Sequence, residues 1–113
     1  MYDLLIRNGN VVDPSQGIHR RADVAVSAGR IQAVDAHIAV TGKQELDASG
    51  FIITPGLVDI HVHAYKHVSH YGIDPDEYCL ATGVTTAVDA GSAGRCTWPG
   101  LRHFVLEKAR MRV

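Results

Sequence analysis

Apolar and polar positions divide the chain into a first half of short alternating stretches and a second half of continuous apolar runs. The short apolar pieces lie at residues 2–7, 10–12, 22–26 and 30–34. Asn8-Gly9 and Ala28-Gly29 separate these pieces, and such dipeptides favour tight hairpin turns. We therefore predict two hairpins, followed by another strand or hairpin across residues 45–54. Short strands at this spacing are typical of a β-sandwich.

Residues 55–63 begin the second pattern and read PGLVDIHVH. This apolar run is rich in β-branched residues and too short for an ordinary helix, so it predicts a strand buried on both faces. Residues 84–90 predict a second buried strand. Between the two strands, Asp74 and Pro75 provide an N-cap and a proline at the first helical position, which predicts a helix that Gly83 ends. The order strand, helix, strand implies parallel pairing through a right-handed crossover.

The last part of the chain predicts one more helix. Thr97 can cap it, and apolar residues then recur at helical spacing, so that they share one face. These residues are Leu101, Phe104, Val105 and Ala109. We expect a third strand to begin near Val113.

Three ionisable residues interrupt the apolar run of the first buried strand, namely Asp59, His61 and His63. Side chains alternate across a strand, so these three point the same way, and the two imidazoles lie about 6.6 Å apart at the backbone. With seven histidines in 113 residues, an H-x-H pair often arises by chance. A buried strand, however, gains nothing from three ionisable groups on one face unless they have partners. We therefore favour His61 and His63 as metal ligands, with Asp59 in a supporting position.

PGLVDIHVH, followed by GVTTAVDAGSAG at residues 83–94, resembles the amidohydrolase superfamily, the metal-dependent hydrolases that include dihydroorotase, hydantoinase and N-acyl-amino-acid deacylases. The resemblance implies an α/β fold with an all-β N-terminal part. Residues 1–54 would form a partial β-sandwich, and residues 55–113 the first two β/α units of a (β/α)8 barrel of the TIM type. By this likeness His61 and His63 bind zinc, in a centre of one or two divalent metal ions.

The length of the chain limits what the resemblance can imply. A complete (β/α)8 barrel needs about 250 residues. The family's remaining ligands, a lysine, two histidines and an aspartate, belong to later barrel strands and have no matching position here. Lys43, Lys66 and Lys108 fall in the sandwich part, a loop and a helix, where solvated side chains are expected. We therefore expect no catalytic residue in this chain, weak zinc binding, and no hydrolysis by the chain alone.

Other polar residues near the two strands could support the site or contact substrate, namely Tyr65, His67, Asp89 and Ser92. Tyr65 stands where dihydroorotases commonly carry an arginine, and Ser92 stands where D-aminoacylases tend to carry a cysteine, so neither subgroup matches fully. The DPDE and DAGSAG segments are most similar to deacetylase-type amidohydrolases. The implied substrate is therefore a small N-acyl or O-acyl molecule. Ordinary loop and turn roles remain open for His67, Asp89 and Ser92.

Charge and composition limit the classes of partner that the chain is expected to bind. The chain has 11 basic and 12 acidic residues without long blocks, which gives no footprint for nucleic acid or a membrane surface. No apolar stretch approaches a membrane span, and residues 1–3 do not resemble a signal peptide, so we expect a cytoplasmic location. Cys79 and Cys96 are expected to be free thiols.

A second hypothesis comes from a different class of protein. The chain could be a non-catalytic structural or interaction module that assembles with another chain or with copies of itself. Two buried-type parallel strands alone would leave open apolar edges, which favour association.

Overall fold

The chain folds into two units, Met1–Pro55 and Gly56–Val113, in a computed structural model that describes residues 1–113. The first unit contains five strands: β1 (Tyr2–Asp13), β2 (Ile18–Ser27), β3 (Arg30–Asp35), β4 (Gly42–Asp47) and β5 (Ile52–Ile53). The second contains strands β6 (Leu57–Val62) and β7 (Val84–Asp89) and two short α-helices, α1 (Pro75–Tyr78) and α2 (Trp98–Leu101). A 3-10 turn, Leu80–Thr82, follows α1, and a π-helical segment, Arg102–Leu106, follows α2. No helix is long and apolar enough to cross a membrane.

One sheet makes up the first unit, with β1 at its centre. The strand order is β3-β2-β1-β4, and β5 pairs with the far half of β1. β2 is antiparallel to both β1 and β3, whereas β4 and β5 are parallel to β1. Ala28 and Gly29 connect β2 to β3 with φ values of 51° and 69°. The hairpin predicted there is confirmed, because both turn residues adopt the left-handed conformation that such a turn requires.

The hairpin predicted at Asn8-Gly9 is wrong, because β1 runs unbroken through both residues. Asn8 has a φ of 63°, and the pairing of β1 with β2 shifts between Ile6 and Gly9. Two residues of β1 thus lie opposite Asp23 of β2, which is the geometry of a β-bulge. The left-handed conformation that Asn-Gly favours therefore produces a kink within β1, and the chain does not reverse its direction there.

Residues 45–54, where one strand or a hairpin was predicted, contribute to two strands that do not form a hairpin. β4 and β5 both pair in parallel with β1, on either side of the bulge. Between them Gly50 adopts a φ of 82°, and the Asp47 carboxylate accepts hydrogen bonds from the backbone and hydroxyl of Ser49. The turn at Ser49-Gly50 therefore moves the chain along β1 instead of folding it back.

Apolar side chains cover both faces of this sheet. Leu5, Ala25 and Ile38 form one buried cluster, and Val11, Ala22 and Val24 form another. Leu5 and Ile6 pair with the consecutive residues Ala25 and Val24, so their side chains lie on opposite faces. A second sheet facing this one, which a complete sandwich requires, is not formed by residues 1–55.

Asp23 is a charged residue inside the first unit and is only 2% exposed. Its carboxylate accepts hydrogen bonds from the backbone of Asn8 at 2.9 Å and of Ile38 at 3.0 Å, and Arg7 lies 3.3 Å away. Burial raises the pKa of Asp23, but these hydrogen bonds and the positive charge of Arg7 outweigh burial and hold it below its ordinary value. The carboxylate is therefore ionised and joins the bulge to the segment after β3.

The second unit follows the predicted order of strand, helix and strand. β6 and β7 pair in parallel. The Asp74 side chain accepts hydrogen bonds from the backbone of Asp76 and Glu77, and Pro75 is the first helical residue. Gly83 closes the segment with a φ of 86°. The predicted cap, helix start and helix end are confirmed, although the last turn is 3-10 rather than α.

β6 is not buried on both faces, contrary to the prediction. Val58 is 60% exposed and Ile60 is 78% exposed. β7 is the only strand that pairs with β6, so its other edge is open. The β-branched pattern predicted the strand correctly, but the elements that would cover it do not lie within residues 56–113.

The last predicted helix is present in a different form. α2 continues into the π-helical segment, where the backbone of Glu107 donates to the carbonyl of Arg102 five residues earlier. Leu101 is buried, whereas Phe104 is largely exposed. The expected single apolar face is therefore wrong, because the wider π turn moves Phe104 away from the face that Leu101 occupies.

Near the predicted start of a third strand, a single parallel bridge forms beside β7. Arg112 forms a parallel bridge with Thr86 and exchanges backbone hydrogen bonds with Thr85 and Ala87. The Asp76 carboxylate accepts hydrogen bonds from the backbone of Arg110 and Met111 and so fixes the segment that leads to this bridge.

Both cysteines are free thiols, as expected, with Cys79 buried and Cys96 exposed.

Candidate metal centre

The expected metal ligands lie at the carboxyl end of β6. His61 is inside the strand, and His63 follows its last residue. Their ring centroids are 5.5 Å apart, and the ring planes are inclined by 78°. His61 is exposed and His63 is half-buried. Two imidazoles at this separation can approach one metal ion from neighbouring directions.

An open groove of about 350 Å³ runs beside these histidines. Asp59, Tyr71 and Cys79 also line it. The Asp59 carboxylate accepts a hydrogen bond from the backbone N–H of His61 at 2.9 Å. Asp59 therefore holds the backbone of the first histidine rather than its ring, which is a supporting position.

Asp89 joins the ends of the two parallel strands. One carboxylate oxygen accepts from the backbone N–H of Ala64 at 2.8 Å, and the other accepts from Gly91 at 3.0 Å and Ser92 at 2.6 Å. Burial raises the pKa of Asp89, but the hydrogen bonds from Ala64, Ser92 and Gly91 outweigh burial and keep the pKa below its ordinary value. Asp89 is therefore an ionised carboxylate that fixes the loops after both strands.

Ser92 contacts the second histidine directly. Its Oγ lies 3.1 Å from Nδ1 of His63. Serine at a turn after a strand is common, so the sequence alone did not predict this contact. The sequence does contain one indication of this contact. His63 and Ser92 each follow a predicted parallel strand, and the carboxyl ends of adjacent parallel strands lie at one edge of the sheet.

Cys79 also lines the groove, as a buried free thiol. Burial, together with the negative charge of Asp59, raises the pKa of the Cys79 thiol. Cys79 is therefore a neutral, apolar part of the groove wall.

Tyr65 and His67 do not join the two histidines. Tyr65 is only 7% exposed, and its hydroxyl occupies the space that a side chain on Gly100 would need. His67 is exposed and lines a separate groove of about 280 Å³ beside the π-helical segment. Tyr71, which the sequence did not single out, lies closer, with its ring centroid 6.3 Å from that of His63.

The donor set fits part of a zinc site. Neutral imidazole is a common zinc ligand, and a catalytic zinc uses about three protein ligands. No group of three or more histidine, cysteine, aspartate or glutamate side chains lies close enough to hold a metal ion. His61 and His63 thus fit as two ligands of a centre that needs further ligands.

Comparison with known proteins identifies the class to which this chain belongs. No protein-family model matches it. The deacetylase Atu3266 of Agrobacterium fabrum is 42% identical over 86 residues, which are 75% of this chain and 21% of the deacetylase. A dihydroorotase of Trichlorobacter lovleyi is 35% identical over 108 residues, which are 95% of this chain and 24% of the dihydroorotase. The chain thus spans about a quarter or less of the length of these relatives.

Solved structures agree with the sequence relatives. A dihydroorotase matches 96% of this chain with a TM-score of 0.82 and 32% identity, over 29% of its own length. An adenine deaminase matches 100% of the chain with a TM-score of 0.79 and 30% identity, again over 29% of its length. An N-acyl-D-glutamate deacylase from Bordetella bronchiseptica, complexed with zinc and a phosphonate inhibitor, matches 76% with a TM-score of 0.60 and 33% identity, over 18% of its length.

These relatives place the chain in a hydrolase family. The chain belongs to the amidohydrolase superfamily, as its two motifs predicted. The chain is similar to dihydroorotases as well as to a deacetylase, although Tyr65 stands where dihydroorotases were expected to carry an arginine.

Proposed function

We propose that this chain supplies the first two metal ligands, His61 and His63, of a zinc-dependent amidohydrolase. The enzyme hydrolyses the C–N amide bond, or the ester bond, of a small N-acyl or O-acyl substrate. The observation that carries the proposal is the pair of imidazoles, 5.5 Å apart at the carboxyl end of a parallel strand. The similarity to a deacetylase and to a zinc-bound deacylase supports this substrate class.

The domain organisation of the family supports the same proposal. Met1–Pro55 would correspond to the partial sandwich, and Gly56–Val113 to the first two β/α units of a (β/α)8 barrel. Barrel enzymes carry their chemistry at the carboxyl ends of their strands, where His61, His63, Asp89 and Ser92 lie. The open edge and exposed side chains of β6 are consistent with pairing to further barrel strands.

A bound metal would supply a water of lowered pKa as nucleophile and polarise the bond to be cleaved. The residues of this chain would then have separate tasks. His61 and His63 offer neutral imidazole donors, Asp59 holds the backbone of His61, and Asp89 holds the loop that begins at Ala64. Tyr71 borders the groove and would limit the space open to a substrate.

Calorimetric zinc titration of the 113-residue chain tests the ligand assignment. We expect weak, reversible binding that is lost in His61→Ala/His63→Ala, since two imidazoles provide half of a four-coordinate shell. The matched control is His67→Ala/His70→Ala, which removes the same number of imidazoles from the exposed loop. Equal zinc affinity in the parent and in His61→Ala/His63→Ala would remove the assignment.

Coding sequence downstream of Val113 tests the enzymatic proposal separately. We expect about 200 or more further residues, because a barrel of about 250 residues that begins at Gly56 has only its first 58 residues in this chain. They should supply a lysine, two histidines and an aspartate on barrel strands. A downstream sequence without such residues would contradict the hydrolase proposal and leave zinc binding as an isolated property.

A second candidate function is assembly with another chain. The observation that favours it is the exposure of Val58 and Ile60 on an unpaired strand edge. Open apolar edges promote association. Light scattering at increasing concentration discriminates, because a protein that remains monomeric would contradict assembly by this chain alone.

A further inference from the structure

The groove of about 280 Å³ in the Gly56–Val113 unit lies between the loop after His63 and the π-helical segment. Ligand pockets usually measure about 300–1,000 Å³, so this groove suits a small ligand. Ile73 is the single residue that lines both this groove and the groove beside His61. The two grooves are therefore neighbours, but neither candidate metal ligand lines this one.

Hydrogen bonds hold both walls of this groove in place. On one side, the backbone N–H of Ser69 donates to the carbonyl of the buried Tyr65 at 3.0 Å. On the other side, the Asp76 carboxylate accepts from the backbone N–H of Arg110, after the π-helical segment, at 2.8 Å. The groove is therefore formed before any ligand binds, which lowers the entropic cost of binding.

Rare backbone conformations occur on both walls. His67 has a φ of 67°, in the left-handed region that residues other than glycine seldom adopt. The π-helical segment of the opposite wall, Arg102–Leu106, is also an uncommon structure that is frequent at functional sites. Strained backbone conformations likewise concentrate at functional sites. Their presence on both walls of one groove indicates that the groove has a function of its own.

Lys108 offers this groove a positive charge that no carboxylate contacts. Its ammonium lies 5.3 Å from the centroid of the Phe104 ring and forms no ion pair. The carboxylates of Asp74 and Asp76 already accept backbone hydrogen bonds, and Lys66 is already in an ion pair. An ammonium group only donates hydrogen bonds. The capacity that remains in the groove is therefore that of a donor, which an anion satisfies.

Apolar side chains form the rest of the groove. Phe104 is 63% exposed, although its ring is large and apolar. Ile73 and Val105 also line the groove and pack against the buried core of the unit. Aromatic rings favour offset or edge-on contact with one another. A ligand with a flat apolar body can therefore cover the Phe104 ring while its charged group reaches Lys108.

We propose that this groove binds a small aromatic carboxylate, whose ring packs on Phe104 and whose carboxylate pairs with Lys108. The site is distinct from the metal centre, and the inference does not rest on the proposed function. Ala64, which directly follows His63, also lines the groove. A ligand bound here would therefore contact the loop that leaves the metal centre.

Benzoate is the probe, and the ¹⁵N-labelled, metal-free chain is titrated with it, so that binding through zinc does not contribute. We expect saturable shifts of the backbone amide signals of Ile73, Lys108 and Ala109, which line the groove. Benzamide has the ring without the charge and acetate has the charge without the ring, so each should bind more weakly. Added salt should weaken benzoate binding, because it screens exposed charges.

Two variants remove the proposed contacts one at a time. Phe104→Ala should weaken benzoate binding about threefold or more, and Lys108→Gln about two- to fivefold, as expected for an aromatic pair and an exposed ion pair. Both side chains are exposed, so neither variant should affect folding. The matched controls are Phe51→Ala and Lys43→Gln, which remove the only other phenylalanine and a lysine of the first unit. Both controls should bind benzoate as the parent does.

The parent chain alone can overturn the proposal. It fails if benzoate causes no saturable shifts at the groove, or if benzamide or acetate binds as tightly as benzoate. Shifts confined to the residues around His61 would place benzoate in the other groove and overturn it as well. Among the variants, parent-like affinity in both Phe104→Ala and Lys108→Gln would have the same consequence.

Discussion

Removal of the Asp89 carboxylate should destabilise the second unit by an amount that its hydrogen bonds predict. Asp89 accepts from Ala64 and Ser92 in part-buried positions and from Gly91 in an exposed one. Hydrogen bonds to a charged group contribute about 1.5–3 kcal/mol each. Counting only the two part-buried bonds, at the low end because the carboxylate is partly exposed, Asp89→Ala should cost about 3 kcal/mol.

Asp89→Asn distinguishes the contributions of the two carboxylate oxygens to stability. The amide keeps one oxygen, which can still accept from Gly91 and Ser92, but its NH₂ then faces the N–H of Ala64. One part-buried hydrogen bond is lost, so we expect about half the cost, near 1.5 kcal/mol.

Urea unfolding of the metal-free variants measures both costs. Trp98 is the single tryptophan and lies in the second unit, so its fluorescence reports on that unit. Glu77→Gln is the control, because Glu77 and Lys66 form an exposed ion pair at 2.8 Å that should be worth less than about 1 kcal/mol. A cost below about 1 kcal/mol for Asp89→Ala would refute the view that this carboxylate holds the strand ends.

Three further predictions concern other parts of the chain. Gly100→Ala should destabilise the second unit through collision with the Tyr65 hydroxyl, and Tyr65→Phe should relieve the cost in the double variant, as measured by a double-mutant cycle in urea. Asp23 has a lowered pKa when folded, so its stabilising effect is present above about pH 3.8 and is lost as the pH falls through the folded value. In Asp23→Asn, circular dichroism should show reduced stability at pH 7 and a weaker dependence on acid. Gly29→Val should cost about 1–2 kcal/mol through backbone strain alone, because Gly29 has a φ of 69° with no atom near its Cβ position. Parent-like urea midpoints for this variant would contradict that prediction.

Local chemistry predicted much of the second unit. Asp74, Pro75 and Gly83 act through contacts within a few residues, so a cap, a helix start and a helix end can be derived from the sequence. Asn8 shows the limit of this approach. Its left-handed preference is local, but whether that preference forms a turn or a bulge depends on Asp23, which lies on the neighbouring strand.

Burial and side-chain contacts were harder to predict than elements. The β-branched pattern of β6 identified a strand, but burial depends on neighbours that the pattern does not contain. The resemblance of two motifs to those of the amidohydrolase superfamily identified His61 and His63 as candidate metal ligands. It did not predict that Ser92 contacts Nδ1 of His63, because that contact needs the parallel register of β6 and β7 and the turn around Asp89.

The bulge at Asn8 has a consequence for changes in chain length. It gives β1 one residue more than β2 requires, yet Ile6 and Val11 belong to the same apolar cluster on either side of it. Deletion of Asn8 would therefore restore regular alternation and leave Val11 on its present face. A bulky β-branched replacement at the same position keeps the extra residue but resists its left-handed conformation. A shorter strand would thus keep the apolar alternation of β1 but lose the N–H that Asn8 donates to the buried Asp23 carboxylate, so the bulge serves that charge rather than the apolar cluster.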